Sequence, residues 1–267
     1  MKNINHNFFT MLFLSIIITS CQKSVSDLED LIGNNDPKES VSSNLIYEET
    51  FEGPAPFSTA YDSKDHIGSW DYAMKIVSNP VYKGARAVRF EIRKDQPLVK
   101  NGKRAEVVIV KDSISKNSWY SFSAYFPTEG YEYDSEREII CQWYQKGTPA
   151  TSLRTKRDRF LLESGSIPGS LVKYDLGLIT KDAWHEFVLH FIHSYTSDGF
   201  VEVWHNGLKV LTVNGANMYD NTLPKWKIGL YKASFKFGTS LVDKRIIYFD
   251  NIRVGNANAS FENLSSL

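Results

Sequence analysis

Three predicted strands each contain a pair of side chains that can bind an anion or transfer a proton. The pairs are Arg104 and Glu106, Gln142 and Tyr144, and Lys227 and Tyr231. Residues two or four apart in a strand point to the same face of a sheet, so each pair is predicted to share a face. Guanidinium, ammonium and amide groups donate hydrogen bonds to anions, and a phenol can donate or accept a proton. Any one pair is also typical of an ordinary exposed sheet, so only the three together indicate a site.

The basic residues in and near these strands favour an acidic ligand. They are Arg104, Lys146, Arg154, Lys227 and Lys232. The whole chain is balanced, with 31 Lys and Arg against 31 Asp and Glu over 267 residues, which argues against a dedicated nucleic-acid-binding protein. The 42% of hydrophobic residues excludes a disordered chain. A globular protein with a locally basic surface is therefore expected.

The elements that position these side chains are predicted to be β-strands. Residues 87–93 alternate apolar and charged side chains, as expected for a half-buried strand. Similar runs occur at 105–110, 119–126, 138–144, 184–192, 199–204, 226–231 and 246–254. Turn-forming pairs such as Asn206-Gly207 separate several of them, and no segment has the pattern of a long amphipathic helix. The pattern predicts an all-β, two-sheet sandwich or jelly roll over residues 45–267, with a strand order that it does not determine.

Alternation also assigns the buried side of two of these strands. Ile139, Cys141 and Trp143 are predicted to form one core-facing row, with Cys141 as a small buried residue rather than a nucleophile. Gly229 lies between Lys227 and Tyr231, and it is expected to leave room for a ligand across the sheet.

The first 44 residues have the composition of a targeting segment followed by a linker. Residues 1–20 contain one basic residue followed by a short apolar run, which is typical of a signal peptide. The segment Ile18-Thr19-Ser20-Cys21 resembles a bacterial lipobox, and the alternative is an ordinary signal peptide with an incidental cysteine. We expect lipidation of Cys21, a flexible tether over 21–44, and anchoring in the bacterial cell envelope at the outer membrane.

Five short motifs together resemble secreted jelly-roll polysaccharide lyases of the heparin-lyase-I-like and alginate-lyase families, which have a concanavalin-like fold. They are Arg104-Ala-Glu106, Gln142-Trp-Tyr144, the run from Trp184 to Val188, the run from Gly199 to Gly207, and Lys227-Ile-Gly-Leu-Tyr231. The terminal run from Tyr248 to Gly255 is also typical of these families. The likeness covers most of residues 45–257.

This resemblance implies cleavage of a uronic-acid-containing polysaccharide by β-elimination, with no organic cofactor. Gln142 and Arg104 would neutralise the uronate carboxylate, which makes the C5 proton easier to remove. Tyr231 would be the general acid, and Lys227 would bind acid groups and favour tyrosinate. The resemblance and the basic residues together assign Glu106, Tyr144, Lys146, Arg154 and Lys232 to substrate binding. Alginate, glucuronan, heparin-type and ulvan-type polymers all fit.

One departure from the family pattern concerns the base. Tyr144 stands where the family usually has histidine, which is an easier base near neutral pH. Either Tyr231 is both base and acid, in a syn elimination, or catalysis is lost and the groove only binds glycan. His66 is kept as an alternative base from outside these strands.

A structural calcium ion is a second expectation from resemblance, here to the terminal strands of sandwich carbohydrate modules. Glu52 and Asp250 would supply two of its six to eight oxygen ligands, and the alternative is that they are ordinary edge-strand acids. No Cys/His cluster has zinc-ligand spacing. We expect a monomer that binds an acidic polysaccharide and no nucleic acid.

Two other functions compete with the lyase. A non-catalytic glycan-binding lipoprotein would use the Trp and Tyr rings to stack on sugar faces. A glycoside hydrolase would need two carboxylates facing a cleft, and no Glu-x-Asp-x-x-Glu spacing indicates them.

Overall fold

The computed structural model describes residues 44–111, 114–145 and 147–267. The predicted signal peptide, Cys21 and the tether lie outside these residues. The described elements are β1 (Leu45–Glu49), β2 (Met74–Val77), β3 (Ala87–Arg93), β4 (Arg104–Val110), β5 (Asn117–Tyr125), β6 (Glu138–Gln145), β7 (Thr148–Lys156), β8 (Arg159–Ser164), β9 (Val172–Leu178), β10 (Trp184–Ile192), β11 (Phe200–His205), β12 (Leu208–Asn214), β13 (Lys225–Tyr231), α1 (Ala233–Phe237), β14 (Lys244–Gly255) and α2 (Phe261–Leu264). In the described ranges no helix is long and apolar enough to cross a membrane.

Two antiparallel sheets pack around one apolar core. The first sheet has the order β12-β11-β10-β5-β14-β3-β2, with β1 paired to β14. The second has the order β4-β13-β6-β7-β8-β9. Aromatic residues of both sheets meet in the core, for example Tyr120 of β5 against Trp143 of β6, with ring centroids 5.2 Å apart. The predicted all-β two-sheet jelly roll is confirmed.

The second sheet brings together the three strands that contain the predicted site pairs. β13 lies between β4 and β6, with Tyr231 opposite Arg104 and Lys227 opposite Gln142. Sequence order does not suggest this arrangement, because β4 and β13 are separated by more than a hundred residues of chain. Strands β7, β8 and β9 extend the same sheet beyond β6.

The alternation expected along β6 is broken at its start. Cys141 and Trp143 are buried in the core as predicted, but Ile140 joins them there. Ile139 instead lines a surface pocket. A register shift in the pairing with β7 lies between Ile139 and Cys141, and such a bulge moves the side chain before it to the other face.

Gly229 is required by the backbone of β13 rather than by an open space above it. Its φ is +128°, and a Cβ placed on it would lie 2.2 Å from the carbonyl oxygen of Ala105 on β4. The expectation that this glycine leaves room for a ligand is therefore wrong. The glycine instead permits an irregular, close pairing of β13 with β4.

A loop before β2 covers the free edge of β4. Asp62 and Val108 exchange backbone hydrogen bonds of 3.0 and 2.9 Å. Further along, the Glu106 N–H donates to the carbonyl oxygen of His66 at 3.1 Å. This pairing places the His66 side chain beside the second sheet.

Candidate active site

A pocket of about 230 Å³ lies on the outer face of the second sheet. Its polar lining consists mainly of Arg104, Arg137, Arg154, Gln142, Tyr144 and Tyr231. Among the residues that the structure describes, the lining contains three arginines and no acidic side chain. Such a pocket favours an anionic ligand because its cations face the cavity without a facing carboxylate.

Glu106 lies beneath the pocket and holds two of the lining side chains. One of its carboxylate oxygens accepts a hydrogen bond from Arg104 Nη1 at 3.2 Å, and the other accepts one from Gln142 Nε2. Only 2% of Glu106 is exposed. Burial raises the pKa of its carboxyl group, and the charges of Arg104 and Lys227 oppose that rise. Glu106 was predicted to bind substrate, but it is buried and instead positions the two predicted carboxylate neutralisers.

Tyr231 lies at the end of β13 with a guanidinium on its ring. The Arg104 Cζ atom is 4.5 Å from the centroid of that ring, within the range of a cation–π contact. Lys227, expected to act on Tyr231, instead has its ammonium 4.2 Å from the centroid of the Tyr144 ring. Lys227 is only 2% exposed, and burial lowers the pKa of its ammonium group. It therefore lies beneath Tyr144 and acts through its neighbours rather than as an open contact for substrate.

His66 is part of the same cluster. Its Nε2 atom is 3.3 Å from Lys227 Nζ, and its Nδ1 atom is 3.4 Å from Asp62 Oδ2. Burial, followed by the charges of Lys227 and Arg104, lowers the pKa of His66 to about 4. The imidazole is thus neutral at neutral pH, and its Nε2 lone pair accepts a hydrogen bond from the Lys227 ammonium.

Arg154 and Arg137 form the other basic part of the pocket. Arg154 Nε donates to Ser152 Oγ at 2.9 Å and contacts Glu163 Oε2 at 2.8 Å. Arg137 Nη1 donates to the other oxygen of Glu163. Burial lowers the pKa of Arg154 to about 10, which leaves it cationic at neutral pH. Sequence reasoning missed Arg137, because it stands in a charged turn that looks like ordinary surface.

Lys232 does not face the pocket, contrary to the prediction that it binds substrate. Its ammonium is 0% exposed, and it contacts Asp134 Oδ2 at 3.0 Å and also Glu138. Arg245 pairs with the same two acids. A buried lysine needs such partners, and they come from segments distant in sequence. Lys146, also predicted to bind substrate, lies outside the described residues.

Glu52 and Asp250 contact one loop, between β2 and β3. Glu52 Oε1 accepts hydrogen bonds from the N–H groups of Ala85 and Arg86, both at 2.9 Å. Asp250 Oδ2 accepts from the N–H groups of Tyr82 and Lys83 at 3.0 and 3.2 Å. In the part of the chain that the structure describes, no group of three or more His, Cys, Asp or Glu residues could hold a metal ion. Calcium would compete with these N–H donors for the same oxygens, and its binding here stays a prediction.

The fold and the pocket define a jelly-roll protein with a cationic, tyrosine-containing groove. A model of the polysaccharide lyase family matches residues 57–253. The chain therefore belongs to the polysaccharide lyase family and is an enzyme of that type, as the motifs predicted.

Solved structures with the same fold include enzymes of two kinds. An endo-β-1,4-glucuronan lyase from the fungus Trichoderma reesei is 17% identical, with a TM-score of 0.62 over 82% of this chain and 98% of that one. A PL-14 alginate lyase from Aplysia kurodai is 14% identical, with a TM-score of 0.50 over 80% of this chain and 100% of that one. The catalytic domain of a glycoside hydrolase family 131 protein from Coprinopsis cinerea is 12% identical, with a TM-score of 0.53 over 74% of this chain and 84% of that one. Comparison with curated protein sequences gives no match.

Proposed function

We propose that this lyase cleaves a uronic-acid-containing polysaccharide by β-elimination, with Tyr231 as general acid and base. The observation that supports it most directly is the pocket lined by three arginines, Gln142 and Tyr231, with no acidic residue in the described lining. A hydrolase on this fold would need two carboxylates at the cleft. The carboxylates near this pocket, such as Glu106, lie beneath it and are engaged by other side chains.

The first part of the mechanism is neutralisation of the substrate carboxylate. Arg104 and Gln142 would donate hydrogen bonds to the carboxylate of the uronate whose C5 proton is removed. Removal of that proton places negative charge on the carboxylate, and donors already held in place stabilise this charge as it develops. Glu106 holds both donors from below, so they need little reorganisation during the reaction.

The second part is proton transfer. Tyr231 as tyrosinate would take the C5 proton and then, as phenol, protonate the departing glycosidic oxygen. The Arg104 guanidinium packs on the Tyr231 ring, with Cζ 4.5 Å from its centroid, and so fixes the phenol beside the carboxylate that Arg104 would bind. His66 is the second candidate base, but its Nε2 lone pair already accepts a hydrogen bond from Lys227. Use of one residue for both transfers requires the proton and the leaving group to lie on the same side of the sugar ring.

The substrate proposed for the first tests is a glucuronan, and alginate is the second. The similarity to a glucuronan lyase and to an alginate lyase guides this choice. We also propose that the protein is anchored in the cell envelope through Cys21, works as a monomer and needs no organic cofactor. A non-catalytic glycan-binding lipoprotein is the alternative.

Replacement of Tyr231 by Phe tests the proposal. The change keeps the ring and removes only the hydroxyl group, so folding and glycan binding should persist. The rate should fall by about 10²- to 10⁴-fold, which is the usual contribution of general acid–base catalysis. The measurement is the ultraviolet absorbance of the unsaturated uronate, which a hydrolase does not form.

Tyr248→Phe is the matched control, because Tyr248 lies on β14 of the other sheet and is partly buried. It should keep the parent rate. If Tyr231→Phe also keeps the parent rate, the assignment of Tyr231 is wrong. If the parent protein binds uronans without forming unsaturated product, the glycan-binding alternative replaces the lyase activity for this chain.

A further inference from the structure

The pocket contains a second pair of donors built in the same way as the first. Arg104 and Gln142 are held by the two oxygens of Glu106, and Arg137 and Arg154 are held by the two oxygens of Glu163. Glu163, like Glu106, is buried beneath the pocket, with 3% of the residue exposed. Each glutamate thus fixes two donors that line the pocket.

The two pairs differ in charge. In the first pair one guanidinium shares its carboxylate with a neutral amide. In the second pair two guanidiniums share a single carboxylate, which leaves one positive charge in excess. The Arg137 side chain is 47% exposed, so this excess charge is open to a ligand. An exposed cation on a buried support is suited to binding an anion without forming part of the reacting centre.

The two pairs also start from strands that are well separated in the sheet. Arg104 lies on β4 and Arg154 lies on β7, with β13 and β6 between them. Neighbouring strands are about 4.8 Å apart, so three strand spacings place the backbones of Arg104 and Arg154 about 14 Å apart. That distance exceeds the span of one pyranose ring. The pocket is open at Arg137, whose side chain is 47% exposed, so the next sugar of the polymer can contact this end of it.

We propose that Arg137 and Arg154 bind the carboxylate of a second uronate, adjacent in the polymer to the uronate held by Arg104 and Gln142. This rests on the proposed function, and it makes Arg137 a determinant of specificity rather than a catalytic residue. The enzyme then favours polymers in which consecutive sugars are uronates. It disfavours polymers in which uronates alternate with uncharged sugars, because the second pair of arginines loses its ligand there.

The test compares Arg137→Ala with Arg159→Ala on polyglucuronate. Arg159 is the matched control because it is also a partly exposed arginine paired with a carboxylate, Asp175 Oδ2, at 2.7 Å, and it does not line the pocket. Arg137→Ala should raise KM about tenfold, the lower range for a hydrogen bond to a charged group, with little change in kcat. Arg159→Ala should leave both constants unchanged.

A second substrate locates the carboxylate that Arg137 binds. When part of the carboxylates of polyglucuronate are reduced to alcohols, kcat/KM of the parent should fall more steeply than that of Arg137→Ala. An unchanged KM in Arg137→Ala, an equal rise in Arg159→Ala, a loss confined to kcat, or equal sensitivity to carboxyl reduction would each overturn the proposal.

Gel retardation in polyglucuronate separates this inference from the proposed activity. If the parent forms no unsaturated product, the proposed function fails. Gel retardation alone then tests whether Arg137 and Arg154 bind a carboxylate of the polymer. Retardation that is reduced only in Arg137→Ala supports the site, and equal retardation of the three proteins overturns it.

Discussion

The buried carboxylate of Glu106 offers a direct test of how the site works. In Glu106→Gln the side chain keeps its size but has one carbonyl oxygen and one NH₂ group in place of two acceptor oxygens. The single carbonyl oxygen can still accept from Arg104, but the NH₂ group then faces Gln142, whose amide must turn over to accept from it, so the Gln142 N–H groups are no longer held in place. One lining donor loses its support while the backbone of β4 is unchanged.

The size of the effect follows from the lost hydrogen bond. A hydrogen bond to a charged group contributes about 1.5–3 kcal/mol. At about 1.4 kcal/mol per factor of ten, the expected loss of kcat is roughly 10- to 150-fold. The loss should fall mainly on kcat, because the donors act on charge that develops during proton removal.

Glu91→Gln is the control for the stability cost of losing a buried glutamate. Glu91 is 3% exposed, is held by Arg89 and Arg93, and lies on β3 of the other sheet. Initial rates of unsaturated product and thermal melting are measured for both variants. Both should melt at lower temperature, and only Glu106→Gln should lose activity. Full activity in folded Glu106→Gln, or an equal loss in Glu91→Gln, would refute the reasoning.

Two further predictions concern His66 and Cys21. Because the pKa of His66 is lowered to about 4, the imidazole is neutral above that pH, and protonation would add a third cation beside Lys227 and Arg104. In an NMR titration across pH 3 to 8 the His66 imidazole should therefore titrate near pH 4, and Lys227→Met should move the midpoint upward because it removes a neighbouring positive charge; a midpoint at the usual pKa of histidine in the parent would contradict the assignment. Cys21→Ser should leave the enzyme active and move it from the detergent phase to the aqueous phase in cell fractionation, and an unchanged partition would exclude lipidation at Cys21.

Alternation of side chains was sufficient to predict much of the site. It places Arg104 and Tyr231 on the same outer face, and the structure pairs them directly across β4 and β13. It failed for Ile139, because a bulge is a feature of two paired strands and leaves no mark on the period of one. It could not place Lys232, whose burial depends on Asp134 and Glu138 and so on contacts between distant segments.

The two glutamates that hold the donors of the pocket show a related limit of sequence reasoning. Glu106 was recognised because it is two residues from Arg104, but Glu163 is 26 residues from Arg137 in sequence and lies on a different strand from Arg154. Their association depends on the order β6-β7-β8. The strand pattern did not determine that order, and β7 and β8 were not among the predicted strands.

The tyrosine at position 144 does not remove histidine from the site. Lys227 Nζ lies 4.2 Å from the centroid of the Tyr144 ring and 3.3 Å from His66 Nε2. One ammonium group therefore contacts both the tyrosine that replaces the usual histidine and a histidine supplied by the loop along β4. With Lys227 on its Nε2 atom and a pKa near 4, His66 is a weak base. Its position favours a role in fixing the Lys227 ammonium, in line with the proposal that Tyr231 makes both proton transfers.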